Sequence, residues 1–385
     1  MRLRGLTVYP EPGSAPFYEA TVVVRDGVVA GIDASASAAE DDGPEIDCTG
    51  MTALAGFWNC HVHFFERKWA DAASIPNGEL EAQLASFTRY GFTRVVDLSS
   101  PLENTLCVRA RVESGDVAGP AILTTGEGLV PPGAMPPDAT LAAMGVAKTA
   151  MPEVADAASA RAQARRLLDA GADGVKLFAS GAPSRTPVQL SVETMRAAVD
   201  EAHRDGELAF VHPNDAGDVE RALEAGVDVV AHTTPRSGAW DDALLAGARR
   251  LDAALIPTLG LWPMLFRHDR FSTVERLTDA AVEQLRAWRE AGNAVLFGTD
   301  YGAVDADPSP EYALMARAGM DARAILASLT TEPARRFRVA SQAGRIAPGF
   351  HADLVILRED PFRRIDAFAN VALTVRGGRV VYRAT

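Results

Sequence analysis

Between residues 57 and 300 the chain alternates short, nearly continuous apolar runs with longer stretches in which apolar residues return every three or four positions. The runs occupy 57–63, 92–98, 121–125, 174–178, 208–212, 227–232, 255–259 and 294–300. Unbroken apolar runs of this length suit strands covered on both faces, and the three-to-four period suits helices lying over them. The pattern therefore predicts repeated β/α units around a parallel sheet. Glycines punctuate it as helix stops: the stretch 157–170 is followed by Gly171, and 192–204 by Asp205-Gly206. Eight strand runs is the number of a closed (β/α)8 TIM barrel.

The two chain ends read differently. Up to about Leu54, brief Val, Ile and Leu runs alternate with turns such as Arg25-Asp26-Gly27-Val28-Val29. From about Ala343 the same texture returns, with runs at 352–357 and 371–375 and a Gly377-Gly378 turn before Arg379. Both ends read as antiparallel strands joined by hairpins. We expect residues 1–55 and 341–385 to fold together as a small β-sandwich beside a barrel spanning 56–340.

Composition narrows this picture. A chain of 385 residues, 48% apolar and 23% charged, accommodates one barrel of about 250 residues with a small addition. The net charge of -13 is spread along the chain, which argues against nucleic acid. No run approaches the roughly 18 apolar residues of a membrane span, and the first residues lack a signal peptide's apolar core, so a cytoplasmic location is expected. A small-molecule substrate is the expected partner, with assembly of like copies left open. Three cysteines, Cys48, Cys60 and Cys107, have no metal-binding or disulfide spacing.

Candidate chemistry gathers at the strand ends. His61 and His63 lie two apart at the end of the first run, so alternation sends both to one face. His212 and His232 close the fifth and sixth runs. A strand histidine alone is usually a hydrogen-bonded core group, but four of the chain's seven share this placement, and His203, His268 and His351 do not. Strand C-termini are where barrel active sites sit. Lys176 stands inside the fourth run, where a charge is costly unless paired, neutralised or used. An amine there that adds carbon dioxide becomes a carbamate, able to bridge two cations. Asp300 ends the eighth run after Gly298-Thr299 and could pass protons. Imidazole nitrogen and carboxylate oxygen suit zinc, with Mn2+ or Fe2+ as alternatives, and six ligands suit two ions.

These residues carry a resemblance. The chain resembles the amidohydrolase superfamily, in its imidazolonepropionase-like and Xaa-Pro dipeptidase-like branch. The similar stretches are 54–63 around His61-Val62-His63, Gly171 to Lys176, Ala225-Gly226-Val227-Asp228, Gly298-Thr299-Asp300, 344–349, and Ala352-Asp353-Leu354-Val355. The resemblance implies that His61, His63, Lys176 and Asp300 hold a buried divalent ion, that Lys176, His212 and His232 hold a more exposed one, and that Lys176 is N6-carboxylated. It further implies a bridging hydroxide attacking a carbonyl, with Asp300 carrying its proton to the leaving nitrogen, so that Asp300 and Lys176 count as catalytic. The chain departs from that pattern at Asn59, where aspartate is usual, at Pro213-Asn214 after His212, and at Ala231 before His232.

Substrate choice in a barrel belongs to the loops after the strands. Phe64, Arg67 and Trp69 in the first loop, Arg185 after the fourth strand, and Trp262, Met264 and Arg267 in the seventh are the candidate contacts; the third loop, 126–137, is rich in Pro and Gly. The expected reaction is hydrolysis of an amide, cyclic amide or dipeptide-like C–N bond in a small molecule. Deamination of a ring, or hydrolysis of an ester, lactone or phosphotriester, is the alternative. A scaffold without catalysis is the remote one, because all six ligand positions hold competent residues.

Overall fold

The computed structural model describes residues 1–33, 43–134, 151–181, 188–304 and 306–384. Its strands are β1 (Arg2–Val8), β2 (Phe17–Arg25), β3 (Val28–Asp33), β4 (Glu45–Asp47) and β5 (Thr52–Ala55). Then come β6 (Phe57–Val62), β7 (Phe92–Asp97), β8 (Ala121–Thr124), β9 (Gly174–Phe178), β10 (Leu208–His212), β11 (Val229–Ala231), β12 (Ala254–Ile256) and β13 (Ala294–Val295). The chain closes with β14 (Leu354–Leu357), β15 (Val371–Arg376) and β16 (Arg379–Arg383).

Both chain ends share one eight-stranded sheet, in the order β16-β15-β14-β5-β1-β2-β3, with β4 also alongside β1. The join is antiparallel, Ala55 facing Leu354 and Thr52 facing Leu357. Two hairpins use two-residue turns whose residues are left-handed, Asp26 and Gly27 at φ 50° and 78°, and Gly377 and Gly378 at 52° and 75°. Such turns match the right-handed strand twist. The expectation of antiparallel pairing throughout needs one correction. β1 runs parallel to β4 and β5, because the chain after β3 re-enters beside β1 in the same direction instead of through a hairpin. Leu3, Leu6, Val22, Ala53, Leu354, Ile356 and Val375 form this sheet's own core.

Every one of the eight runs in the middle contains a strand, and neighbours pair in parallel within two sheets, β6-β7-β8 and β13-β12-β11-β10-β9. Backbone bonds cross between the sheets. Cys60 N donates to Phe297 O (2.8 Å) and Asp300 N to His61 O (2.9 Å), while Leu129 N donates to Lys176 O (2.8 Å) and Phe178 N to Leu129 O (2.9 Å). One face of these strands, with Val175, Leu177, Ala209, Val211, Val230 and Leu255, packs with helix residues such as Leu167, Met195 and Leu285. The other face gathers Trp58, Cys60, Phe210, Val229, Ala231, Ile256 and Leu296 into a second core.

The last three strands are shorter than the apolar runs imply. Pro257 follows β12 and has no N–H to continue a ladder. His232, Thr258 and Asp300 all take left-handed φ, at 77°, 43° and 62°. The helices follow expectation more closely: Ala157–Asp169 begins on a capping box from Asp156 and Ser159, and Val192–Asp205 ends on Gly206 at φ 81°.

Candidate metal centre

The histidine pair reaches its position through a break in β6. Trp58 and Cys60 belong to the second core, so unbroken alternation would turn His61 and His63 away from it. A register shift against β7 between Asn59 and Val62 changes the parity, and Val62 and Phe64 go to the helix-facing core instead. Asn59 secures the break. Its Oδ1 accepts from His61 N (3.3 Å) and Thr299 N (3.1 Å), and its Nδ2 donates to Thr299 Oγ1 (2.8 Å). The position where the sequence departs from aspartate is thus a backbone clamp between β6 and the eighth run. Gly298 completes the close approach: a Cβ there would lie 2.3 Å from Ile256 Cγ2 and 2.8 Å from His61 Cβ.

His61, His232 and Asp300 each offer a ligand atom within 4.8 Å of the others, and all three are buried. Asp300 Oδ1 lies 3.2 Å from His61 Nε2 and 2.8 Å from His63 Nε2. The His232 ring sits 4.7 Å from His61 and 4.6 Å from His212, centroid to centroid. His232 follows Ala231, a residue of the second core, so an extended backbone would aim it to the opposite face. The left-handed turn at His232 redirects the ring, and Nδ1 then lies 2.6 Å from Thr258 Oγ1. Non-glycine residues hold such φ values at a cost of about 1–3 kcal/mol and only where neighbours fix them.

Lys176 is 1% exposed, and among the described residues its Nζ has no hydrogen-bond partner; it lies over the Phe178 ring, 5.7 Å from the centroid. Burial pulls its ammonium down to about 7, against the opposing pull of Asp300. Burial likewise depresses His212 to about 3, and His61 and His232 well below the usual imidazole range, with Lys176 adding to each. The cluster therefore favours neutral imidazoles and a neutral amine, the forms that donate lone pairs. His61 Nδ1 and His63 Nδ1 are also buried without partners among the described residues. A buried polar atom left unpaired costs about 1–3 kcal/mol. Neutral imidazoles, a carboxylate and a reactive amine gathered with unspent donors fit a divalent cation site.

The candidate substrate contacts fare unevenly. Phe64 and Trp69 are 1% and 0% exposed and pack in the core, edge to face with each other and both against Phe87, which corrects their assignment to a substrate wall. Phe64 has the outward parity of Val62. Phe65 has that of His63, and its ring stacks on His63 at 4.5 Å. Arg67 and Arg267 are exposed, and Arg267 Nη1 donates to Met264 O (3.0 Å). Trp262 and Met264 are half-buried, with Trp262 Nε1 donating to Thr233 Oγ1 (2.7 Å) beside His232. Arg185, and the end of the third loop from 135 to 137, lie outside the described residues.

Phe65, which the first loop offers beside Phe64, follows the same alternation as His63. Sequence reasoning missed Thr258, which nothing in its local pattern distinguishes. Asn214 was marked only as a departure. Its Nδ2 donates to Ser180 O, Ser180 Oγ and Gly181 O, which ties the turn after His212 to the end of the fourth run.

Comparison with known proteins places this arrangement. The Amidohydrolase family model matches residues 52–381, and the chain belongs to that family. It is a hydrolase of that kind. Ochratoxinase from Aspergillus niger is 22% identical over 395 residues, covering 93% of this chain and 81% of that protein. Among solved structures, a Xaa-Pro dipeptidase with bound methionine in the active site aligns over 100% of this chain and 99% of its own, at a TM-score of 0.84 and 22% identity. A putative prolidase from Bifidobacterium longum aligns over 100% and 94%, at 0.82 and 25%. Among the described residues no helix is long and apolar enough to cross a membrane.

Proposed function

We propose that this chain hydrolyses an amide, cyclic amide or dipeptide-like C–N bond of a small molecule, using two divalent ions, zinc first among them. The observation that carries the reading is the convergence of His61, His63, His232 and Asp300 beside a buried lysine with no partner of its own among the described residues. His61, His63 and Asp300 would hold one ion and His212 and His232 the other, with Lys176 shared. Ions so held supply Lewis-acid polarisation of the scissile carbonyl and lower the pKa of water.

The chain's own residues do the rest. Lys176, whose buried amine gives up its proton near pH 7, would attack carbon dioxide; an N–C bond forms at Nζ and a proton leaves to solvent, giving an anionic carbamate that could serve both ions. Asp300, hydrogen-bonded toward His63 Nε2, takes the proton of the attacking water on a carboxylate oxygen and delivers it to the leaving nitrogen. Phe65 and Phe178, whose rings lie on His63 and His212, and Trp262 wall the site with aromatic surface. Arg67, Arg185, Met264 and Arg267 remain candidate contacts for the distal part of a substrate. The reading takes the two parallel sheets as arcs of one (β/α)8 barrel at 56–340, supported by the bonds from Cys60 to Phe297 and from Leu129 to Lys176. Residues 1–55 and 341–385 then form a separate β unit.

The test is a screen of the zinc-loaded enzyme against N-acyl amino acids, dipeptides, cyclic amides and aminated rings, with amine and ammonia measured separately. Amine release from the first three supports the reading. Ammonia from a ring alone replaces it with deamination.

A further inference from the structure

His232 holds a left-handed backbone that a histidine adopts only when its surroundings fix it. Beside the backbone bond from His232 N to Ile256 O (2.8 Å), two side-chain contacts do so, and both come from one short stretch. Thr258 Oγ1 meets His232 Nδ1 at 2.6 Å, and Trp262 Nε1 donates to Thr233 Oγ1 at 2.7 Å. The stretch from Thr258 to Trp262 is a tight turn in which Leu261 N donates to Thr258 O (3.1 Å) and Trp262 N to Leu259 O (3.3 Å). Thr258 is itself left-handed, at φ 43°. The side-chain part of the grip on His232, which sets its ring, is therefore as firm as this turn.

The turn is anchored from another element. Glu311, on the helix Ser309–Arg317, is 2% exposed, and its Oε2 accepts the Gly260 N–H at 2.7 Å; the backbone of Leu259 also bonds to this carboxyl. Its other oxygen, Oε1, is buried without a partner among the described residues. Glu311 shares the buried stripe of its helix with Leu314, Met315 and Ala318, where an apolar residue would pack at no desolvation cost. Ordinary packing does not account for a carboxylate there. Its structural effect is to pin the middle of the turn that holds the metal-ligand histidine.

We propose that Glu311 is a positioning residue for His232, acting through the Thr258–Trp262 turn. In the tautomer that donates Nδ1–H to Thr258, His232 keeps the Nε2 lone pair for a cation, so fixing Thr258 fixes both the ring and its tautomer. The inference rests on the reading of His232 as a metal ligand, and its test separates the two.

The experiment is a calorimetric titration of the metal-free protein with zinc, comparing wild type with Glu311→Ala, Glu311→Gln, Thr258→Val, the double variant Glu311→Ala/Thr258→Val, and His232→Ala. Glu311→Ala and Thr258→Val each weaken one zinc site by roughly 10- to 100-fold, the range typical of residues that orient a ligand. The double variant loses less than the product of the two, because they act through one contact. Glu311→Gln, which keeps a carbonyl oxygen for Gly260 N–H, binds within about threefold of wild type, and that rescue is not expected if charge were what mattered; Glu311→Met, which keeps the volume without the acceptor, is not rescued. Should Glu311→Ala fail to fold, Glu311→Met fills the space without the acceptor and carries the same expectation. Wild-type affinity in Glu311→Ala or Glu311→Met, or losses that multiply fully in the double variant, overturns the inference. If His232→Ala binds zinc as wild type does, the metal reading itself fails.

Discussion

The terminal sheet and the mouth of the parallel strands are built from the same kinds of apolar residue but obey different rules. In the terminal sheet, bulges shift the register within the β1–β2, β2–β3, β14–β15 and β15–β16 pairs, and the hairpins put left-handed φ at Gly27, Gly377 and Gly378, together with Asp26. At the mouth, left-handed φ falls on His232, Thr258 and Asp300, the strands stop early, and β6 shifts register where it delivers its histidines. Broken register is common to both regions, so what separates them is which residues take the left-handed backbone. Strain tolerated at named polar residues marks the region where side chains must converge.

The sharpest way to break this contrast is Asp300→Asn. An amide cannot take the proton of water, so hydrolysis should fall by on the order of 10³-fold, with an unchanged circular dichroism spectrum and melting temperature. Loss of fold instead would make Asp300 a structural group like those of the terminal sheet.

Two glycines sharpen it next. Gly298→Ala puts a methyl against Ile256 and His61 in a core that cannot yield, and should cost about 3 kcal/mol in denaturant unfolding, with zinc binding weakened as well. Glu311 gives a pH signature of comparable size. Burial raises its carboxyl to about 7, so the folded protein keeps a proton that the unfolded chain releases near pH 4.5. Stability relative to Glu311→Gln should therefore fall as pH rises from about 4.5 to 7 and level off above, by a total on the order of 3 kcal/mol. A difference independent of pH would mean that the carboxyl ionises freely. At Gly377, where a Cβ meets nothing within 4 Å, Gly377→Ala meets only the backbone penalty of φ 52° and should cost about 1 kcal/mol, with no effect on zinc.

Much of the fold was legible because period and punctuation are local. All eight middle runs hold strands, and the paired glycines mark the last hairpin. The candidate ligand histidines were legible because they close apolar runs. What alternation could not show is where it breaks. Phe64 was read as facing a substrate and packs in the core, and the register shift at Asn59 has no signature of its own. Thr258 and Glu311 act across long sequence separations, through contacts that exist only once β12 and the helix Ser309–Arg317 are packed together. Glu311 did leave a trace, a carboxylate on an otherwise apolar helical stripe.

The central claim, that a buried amine is the hinge of a two-ion centre, is tested most directly at Lys176. Elemental analysis of dialysed protein purified with zinc and bicarbonate should give two ions per wild-type chain and at most one for Lys176→Ala, with added short-chain carboxylate restoring part of the lost zinc. Equal zinc content in the two proteins, or none in either, would contradict the account.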